Sequence, residues 1–198
     1  MLKQKNNLII FTGPSGVGKG TIVKEVFKKL RNIEFSISCT TREIRPGEKD
    51  GVNYFFKTKE EFEKMIQEDA LLEWAEFVGN YYGTPKDFVA ETMANGKDVF
   101  LEIEVQGALQ VMEKFPDAIS IFLIPPSIEE LESRLRTRGT EKEEVLQKRL
   151  KKASEEMKFI DKFTYVVTND DLQKAIESVC ALIMMNRAVI NEMTTNGN

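Results

Sequence analysis

The sequence contains no histidine and only two cysteines among its 198 residues. Without histidine, the chain lacks the usual general base of enzymes and the commonest zinc ligand. Cys39 and Cys180 provide neither a disulfide framework nor metal-ligand spacing, so we expect reduced structural thiols in a cytoplasmic protein. These absences argue against a disulfide-stabilised secreted domain and against a zinc site.

Long hydrophobic runs and a strong charge of one sign are also missing. No segment approaches the ~20 apolar residues of a membrane span. The start, MLKQKNN, precedes an apolar run of only four residues, so we expect no secretory signal. A net charge of −4 gives no reason to expect a nucleic-acid polymer or a membrane as partner, and the sequence leaves protein partners open. With 41% hydrophobic residues, the chain can form the core of one compact unit.

The most informative segment is FTGPSGVGKGT, residues 11–21. An apolar run precedes it and an amphipathic run follows it, which is the strand, glycine loop and helix arrangement of a phosphate-binding loop. Glycines let backbone N–H groups surround phosphate oxygens, and the N-terminus of the helix favours an anion. The residues predicted to bind nucleotide phosphates are therefore Gly13, Pro14, Ser15, Gly16, Val17, Gly18, Lys19, Gly20 and Thr21.

This loop departs from the commonest form at one position. Gly20 follows Lys19 where a serine or threonine usually ligates Mg²⁺, and the hydroxyl arrives one residue later, at Thr21. We therefore expect Mg²⁺ to be held mostly by nucleotide phosphates and waters, which this ion readily accepts.

Alternating strand-like and helical segments predict an α/β fold with a parallel sheet flanked by helices. The predicted strands are Leu8–Thr12, Asp98–Ile103, Ile119–Leu123 and Tyr165–Thr168. The predicted helices are Val17–Leu30, Lys59–Glu68, Val105–Lys114, Ile128–Arg138 and Leu172–Ile190. Helix starts are predicted by capping-box spacing at Thr58 with Glu61, Ser127 with Glu130, and Thr140 with Glu143, and by a cap with first-turn proline at Thr84–Pro85.

Two regions interrupt the alternation. Residues 33–84 carry short strand-like runs and many polar or aromatic side chains, which predicts a small α+β insertion. Residues 127–157 are dense in charge and poor in large apolar residues, which is typical of a helical lid with little burial to hold it. The remaining segments, 1–32, 85–126 and 158–198, are assigned to the core.

Two further clusters carry possible chemistry. In SCTTREIRPGEKDGVNYFF, residues 38–56, Arg42 and Arg45 can form paired hydrogen bonds with phosphate, and Tyr54 adds a neutral donor. Arginines alone would favour a solvated surface loop. In LEIEVQG, residues 101–107, Glu102 and Glu104 share one face near the carboxyl end of a core strand, where α/β sheets bind ligands; a strand with a polar face is the alternative.

Taken together, these segments resemble guanylate kinases. The phosphate-binding loop, TTREIRPGEKDGVNY, LLEWAEFVGNYYGT, LEIEVQGA and RLRTRGTE match in order from about Leu8 to Asp171. The resemblance implies a P-loop core, a GMP-binding insertion and a lid. It also implies transfer of the γ-phosphate of ATP to GMP, and to dGMP, with Mg²⁺ as cofactor.

The resemblance implies the GMP-binding residues Ser38, Arg42, Arg45, Glu48, Tyr54, Glu73, Tyr82, Thr84, Glu104 and Gly107. In this assignment Glu73 accepts both donors of the guanine edge, which adenine does not offer. A strand residue facing water is the alternative for Glu73, and a helix-start glycine is the alternative for Gly107. Glu102 is expected to hold Mg²⁺ through water, although the family more often has aspartate at positions 102 and 104.

The family match also implies a set of cations for phosphoryl transfer: Lys19, Arg42, Arg134, Arg138 and Arg149. Arg134 and Arg138 lie on one helix face and are expected to bind the ATP phosphates. Asn169 is expected near the adenine, with helix capping as the alternative. Arg136 is interpreted as solvated and Trp74 as core packing.

Other functions remain open at this level. They are a kinase for another nucleoside monophosphate, a related protein-interaction module without catalysis, and a generic P-loop ATPase or GTPase. The attacking group in the kinase reaction is an anionic phosphate oxygen. No general base is then required, which suits a chain without histidine.

Overall fold

A computed structural model describes residues 7–77, 79–137 and 143–195. The chain divides into two compact units. The first unit holds the described residues of Phe11–Arg31 and Ile119–Asn198, and the second holds those of Asn6–Ile10 and Asn32–Ala118. Arg138 and Thr140 lie outside the described residues, and so do the predictions made for them.

The strands are β1 Leu8–Thr12, β2 Ile33–Phe35, β3 Cys39–Thr40, β4 Phe55–Phe56, β5 Leu71–Phe77, β6 Asn80–Pro85, β7 Asp98–Glu102, β8 Ile119–Ile124 and β9 Tyr165–Thr168. The α-helices are α1 Lys19–Lys29, α2 Lys59–Gln67, α3 Lys86–Ala94, α4 Val105–Lys114, α5 Ile128–Thr137, α6 Glu143–Glu156 and α7 Leu172–Thr195, and a 3₁₀ helix spans Met157–Lys162.

The first unit holds the end of β1 followed by β8 and β9, in the order β1-β8-β9. Apart from Ser120, the run ISIFLI of β8 is apolar because a parallel strand is covered on both faces. Ile121, Phe122 and Leu123 are fully buried, and β8 pairs in parallel with β9. Helix α1 packs against α7 beside this sheet.

The second unit contains β2 and β7, which pair in parallel, beside the start of β1, in the order β2-β7-β1. It also contains a separate four-stranded sheet in the order β4-β3-β6-β5. In the smaller sheet β6 pairs antiparallel with both β3 and β5, so β5 forms its edge. Cys39, Phe62 and Leu71 form a core cluster between this sheet and α2. Helix α2 begins with the predicted capping box, in which Thr58 and Glu61 bond reciprocally.

Helices α5 and α6 form the segment predicted to be a lid. Their contact has an apolar core of its own, formed by Leu131, Leu135, Leu146, Leu150 and Ala153. The predicted cap at Ser127 is present, since its hydroxyl accepts the Glu130 N–H at 3.1 Å. The domain boundaries proposed from the sequence are finer than the division into two units, and they stay predictions.

The α/β class with a parallel sheet is confirmed, but two local predictions are wrong. Thr84 does not cap α3, because it belongs to β6 and Pro85 is the residue that precedes the helix. Trp74 is not core packing, because it is 37% exposed and meets Tyr81 edge to face. None of the described helices is both long and apolar enough to cross a membrane.

Candidate functional site

The glycine loop between β1 and α1 is bonded to the side chain of its own lysine, Lys19. Gly16 and Gly18 have φ angles of 91° and 103°, which side-chain-bearing residues rarely adopt. Lys19 begins α1, and its Nζ donates to the carbonyl oxygens of Gly13 at 2.5 Å and Pro14 at 3.3 Å. The ammonium group therefore lies across the loop, where backbone carbonyls hold it and an anion could replace them.

The buried side chain of Asn169 holds this loop by a hydrogen bond. It is 6% exposed, and its Nδ2 donates to the Val17 carbonyl oxygen at 2.7 Å. A Cβ atom on Gly18 would lie 2.6 Å from the same Nδ2, so the glycine makes room for the amide. Asn169 does not cap α7, because that helix begins at Leu172 and the Asp171 carboxylate accepts the Lys174 N–H at 2.9 Å.

Two of the predicted lid arginines lie beside the loop. Arg134 donates to the Asn169 carbonyl at 3.0 Å and pairs with Glu130 at 2.8 Å. Arg149 donates to the Ser15 hydroxyl at 2.7 Å. Arg136 is exposed, as predicted, and pairs with glutamates on the lid helices. The first unit thus brings Lys19, Arg134 and Arg149 to the glycine loop and its support, Asn169.

The second unit assembles the other predicted cation set. Arg42 Nη2 pairs with both Glu48 oxygens, at 2.8 and 3.0 Å, and Glu48 also accepts the Arg45 N–H at 2.8 Å. The Arg42 guanidinium lies 5.4 Å from the centre of the Tyr54 ring. The Tyr54 and Tyr82 rings meet edge to face at 6.0 Å. Glu48 therefore orders the arginine loop, while the Arg45 residue is exposed.

The Tyr54 hydroxyl stays protonated at neutral pH. Burial, together with the nearby Tyr82 and Glu102, raises the pKa of Tyr54 to about 12. A protonated phenol donates a hydrogen bond, so it can assist Arg42 in binding an anion.

Glu73 is the least ordinary side chain in the second unit. It is only 3% exposed, which contradicts the alternative of a strand residue facing water. The buried Thr84 hydroxyl donates to its Oε1 at 2.7 Å, because β5 and β6 pair Glu73 directly with Thr84. Burial raises the pKa of Glu73 to about 7, and the Glu104 charge adds to the rise, although the Thr84 bond opposes it.

Space for the Glu73 carboxylate comes from Gly107. A Cβ on this residue, in the first turn of α4, would overlap the carboxylate and lie 2.7 Å from Glu73 Cδ. Gly107 is therefore more than a helix-start glycine. Its missing side chain allows the helix to approach the carboxylate.

Two polar residues of α4 contact β5 and were not identified from the sequence. Gln110 bonds both backbone groups of Trp74, and Lys114 Nζ donates to the Leu72 carbonyl at 2.6 Å. Their spacing from Gly107, three and seven residues, places all three on one helix face. That periodicity was the available signal, but it could not identify the strand they contact.

A divalent cation would find few protein ligands here. Among the residues that the structure describes, no group of three or more acidic, cysteine or histidine side chains could hold a metal ion. Gly20 has open space around it and Thr21 is exposed. Glu102 is half-buried at the end of β7 and offers a hard oxygen ligand. With so few protein ligands among the described residues of either unit, a bound Mg²⁺ would have to be coordinated mainly by phosphates and waters.

Comparison with known proteins identifies the family. The guanylate kinase family model matches residues 5–186.

The chain belongs to the guanylate kinase family.

Among its relatives, a guanylate kinase of Oceanobacillus iheyensis is 55% identical over 183 residues, covering 92% of this chain and 89% of that protein. One of Caldanaerobacter subterraneus subsp. tengcongensis is 51% identical over 190 residues, covering 96% and 92%. The crystal structure of guanylate kinase from Anaplasma phagocytophilum is 31% identical with a TM-score of 0.79, covering 94% of this chain and 89% of that one. The resemblance expected from the sequence is thereby confirmed.

The raised pKa of Glu73 predicts how stability depends on pH. The folded protein holds this proton more tightly than the unfolded chain, so the free energy of unfolding should fall as pH rises from about 4.5 to about 7. The contribution is of the order of 3 kcal/mol. Glu73→Gln should lack it. Urea unfolding at pH 5 and pH 8 measures the difference.

The matched control is Glu76→Gln, an exposed glutamate on the same strand. This variant should follow the wild-type pH profile. Parallel profiles for wild type and Glu73→Gln would contradict the buried, protonated carboxyl.

Asn169 predicts a second measurable effect. Asn169→Ala leaves the buried Val17 carbonyl without its side-chain donor, at a cost of about 1–3 kcal/mol. The loop should then be less well ordered, so binding of a non-hydrolysable ATP analogue should weaken. Calorimetric titration and thermal melting test this, with exposed Asp170→Ala as control. Wild-type affinity in Asn169→Ala would show that the loop does not need this contact.

Proposed function

We propose that this chain transfers the γ-phosphoryl group of ATP to GMP, and to dGMP, giving ADP and the guanine nucleoside diphosphate. The observation that carries the proposal is the buried Glu73 carboxylate, which accepts hydrogen bonds from Thr84 and has the Glu104 carboxylate nearby. An enclosed carboxylate with remaining acceptor capacity suits a ligand that presents two adjacent donors.

Guanine presents such donors at N1–H and N2–H₂, whereas adenine has no matching pair. In the proposed complex Glu73 accepts both donors, and Glu104 and the Ser38 and Thr84 hydroxyls contact the base. Binding converts Glu73 fully to its charged form, because hydrogen bonds to a carboxylate favour ionisation. Gly107 acts in this site by leaving room for Glu73.

The phosphate of GMP is assigned to Arg42, Arg45, Tyr54 and Tyr82. Arg42 is already ordered by Glu48 and by the Tyr54 ring, so little side-chain entropy is lost on binding. The protonated Tyr54 phenol supplies a neutral donor. Together these groups form a site for a dianion.

The triphosphate of ATP is assigned to the loop from Gly13 to Thr21. Lys19 would exchange its bonds with loop carbonyls for the outer phosphates. Arg134, Arg138 and Arg149 would bind the transferring phosphoryl group, and Asn169 would hold the loop in shape. Mg²⁺, when bound, would supply charge neutralisation on the phosphates, with Glu102 holding it through water.

The reaction needs no general base, because the attacking phosphate oxygen of GMP is already anionic. Rate enhancement comes from holding the two phosphoryl groups in line and from cations that stabilise the charge of the transition state. Lys19, Arg42, Arg134, Arg138 and Arg149 supply that charge. A lid at residues 127–157 would exclude water and limit hydrolysis of ATP.

We also propose that the protein works in the cytoplasm. Both cysteines are unpaired and buried, and burial raises the pKa of the Cys39 thiol to about 11, which keeps it inert.

A coupled assay of diphosphate formation tests the function. With ATP as donor, GMP and dGMP should be phosphorylated, whereas AMP, CMP, UMP and dTMP should be poor substrates. Activity highest with any other monophosphate would contradict the assignment.

Glu73→Gln is predicted to lose base selectivity. Its NH₂ group must face a guanine donor, and this mismatch costs about 1–3 kcal/mol. The kcat/KM for GMP should fall by tenfold to more than a hundredfold, while the affinity for an ATP analogue stays unchanged. Use of AMP should rise slightly, since the amide can pair with adenine. Unchanged GMP kinetics would remove Glu73 from the guanine site; Glu76→Gln is the control.

A further inference from the structure

One face of α4 holds the strand that carries Glu73. Gly107, Gln110 and Lys114 are spaced three and four residues apart and therefore lie along one side of the helix. Each of them meets a different one of three consecutive residues of β5. Gly107 faces the Glu73 carboxylate, Gln110 bonds Trp74, and Lys114 bonds Leu72.

Gln110 pairs with the backbone of Trp74 as a neighbouring strand would. Its Nε2 donates to the Trp74 carbonyl at 2.7 Å, and its Oε1 accepts the Trp74 N–H at 3.2 Å. Strand β5 is the edge of its sheet, so such groups would otherwise meet only water. The side chain thus supplies the two bonds of a missing partner strand at this residue.

Lys114 repeats the arrangement on the other side of Glu73. Its Nζ donates to the Leu72 carbonyl, and its charge also favours the ionised form of Glu73. The residues immediately before and after Glu73 are therefore both bonded to α4 by side chains. The Glu73 carboxylate, between these two residues, lies so close to Gly107 that a Cβ atom on this glycine would overlap it.

Small displacements matter in such a site. A buried carboxylate must meet two donors of a planar base at hydrogen-bond distance, so a shift of about 0.5 Å already weakens recognition. The Glu73 side chain belongs to the edge strand β5, and β6 is the one strand that pairs with β5. The bonds from α4 supply support on its other edge.

We propose that Gln110, together with Lys114, is a positioning residue for guanine recognition. The two side chains hold β5 against α4 and so keep the Glu73 carboxylate where it can accept the donors of the base. This inference rests on the proposed function. Gln110 itself is not proposed to contact the nucleotide. It determines specificity through Glu73.

The principal test is Gln110→Met. Methionine has a similar length and helix propensity but cannot bond Trp74. The Kd for GMP should rise about tenfold, and preference for GMP over AMP should fall with it. The Kd for a non-hydrolysable ATP analogue should stay within twofold of wild type. Lys114→Met should shift GMP binding in the same direction, and it serves as the second variant if Gln110→Met does not fold.

Glu113→Ala, at an exposed residue of the same helix, is the matched control and should bind GMP as wild type does. Thermal melting of each variant distinguishes unfolding from displacement of the Glu73 carboxylate in a folded protein. A fall in melting temperature with unchanged GMP affinity would overturn the proposal, because Gln110 would then stabilise the fold without serving recognition.

A double-mutant cycle tests whether Gln110 acts through Glu73. When Glu73→Gln has already removed the carboxylate, Gln110→Met should change the Kd for GMP less than twofold. An equal change in both backgrounds would overturn the proposal, since Gln110 would act independently.

The same data distinguish this proposal from the proposed function. A wild-type protein that does not phosphorylate GMP would contradict both. A wild-type protein that prefers GMP and depends on Glu73, but not on Gln110 or Lys114, would overturn the positioning role alone.

Discussion

The burial of one carboxyl group, Glu73, is the constraint on which the second unit depends. Removing a carboxylate from water is costly, and this one is compensated within the protein mainly by the Thr84 hydroxyl. The β5–β6 register supplies that hydroxyl, and Gly107 supplies the space. The free protein therefore holds the group partly protonated, and a ligand with two donors would favour its ionised form.

Three of the predicted cations, within the part of the chain that the structure describes, already have partners in the protein. Lys19 bonds the carbonyls of its own loop, Arg42 pairs with Glu48, and Arg134 pairs with Glu130. Such partners hold the side chains near their working positions. In the proposed complexes, phosphates would replace these partners at a reduced cost in side-chain entropy.

Local features of the fold could be predicted from the sequence, and features that depend on distant contacts could not. The apolar runs of β1 and β8 and the Thr58 capping box are encoded in consecutive residues. The Asn169 amide meets Val17, 152 residues away, so helix capping was an equally reasonable hypothesis. Thr84 was assigned to a cap because its strand partner, Glu73, is set by sheet register. Gln110 was missed because a helix face does not reveal which edge strand it bonds.

Proton release on GMP binding tests the central claim most directly. Burial raises the pKa of Glu73 to about 7, so the free group is partly protonated near neutral pH, and binding of two guanine donors should drive that proton off. Calorimetric titrations of GMP in buffers of different ionisation enthalpy measure the number of protons released. Protons released by the GMP phosphate are common to wild type and Glu73→Gln, so they cancel in the difference between the two proteins. We predict that wild type releases measurably more protons than Glu73→Gln at pH 7 and no more at pH 9. Equal release by both proteins at pH 7 would contradict the account.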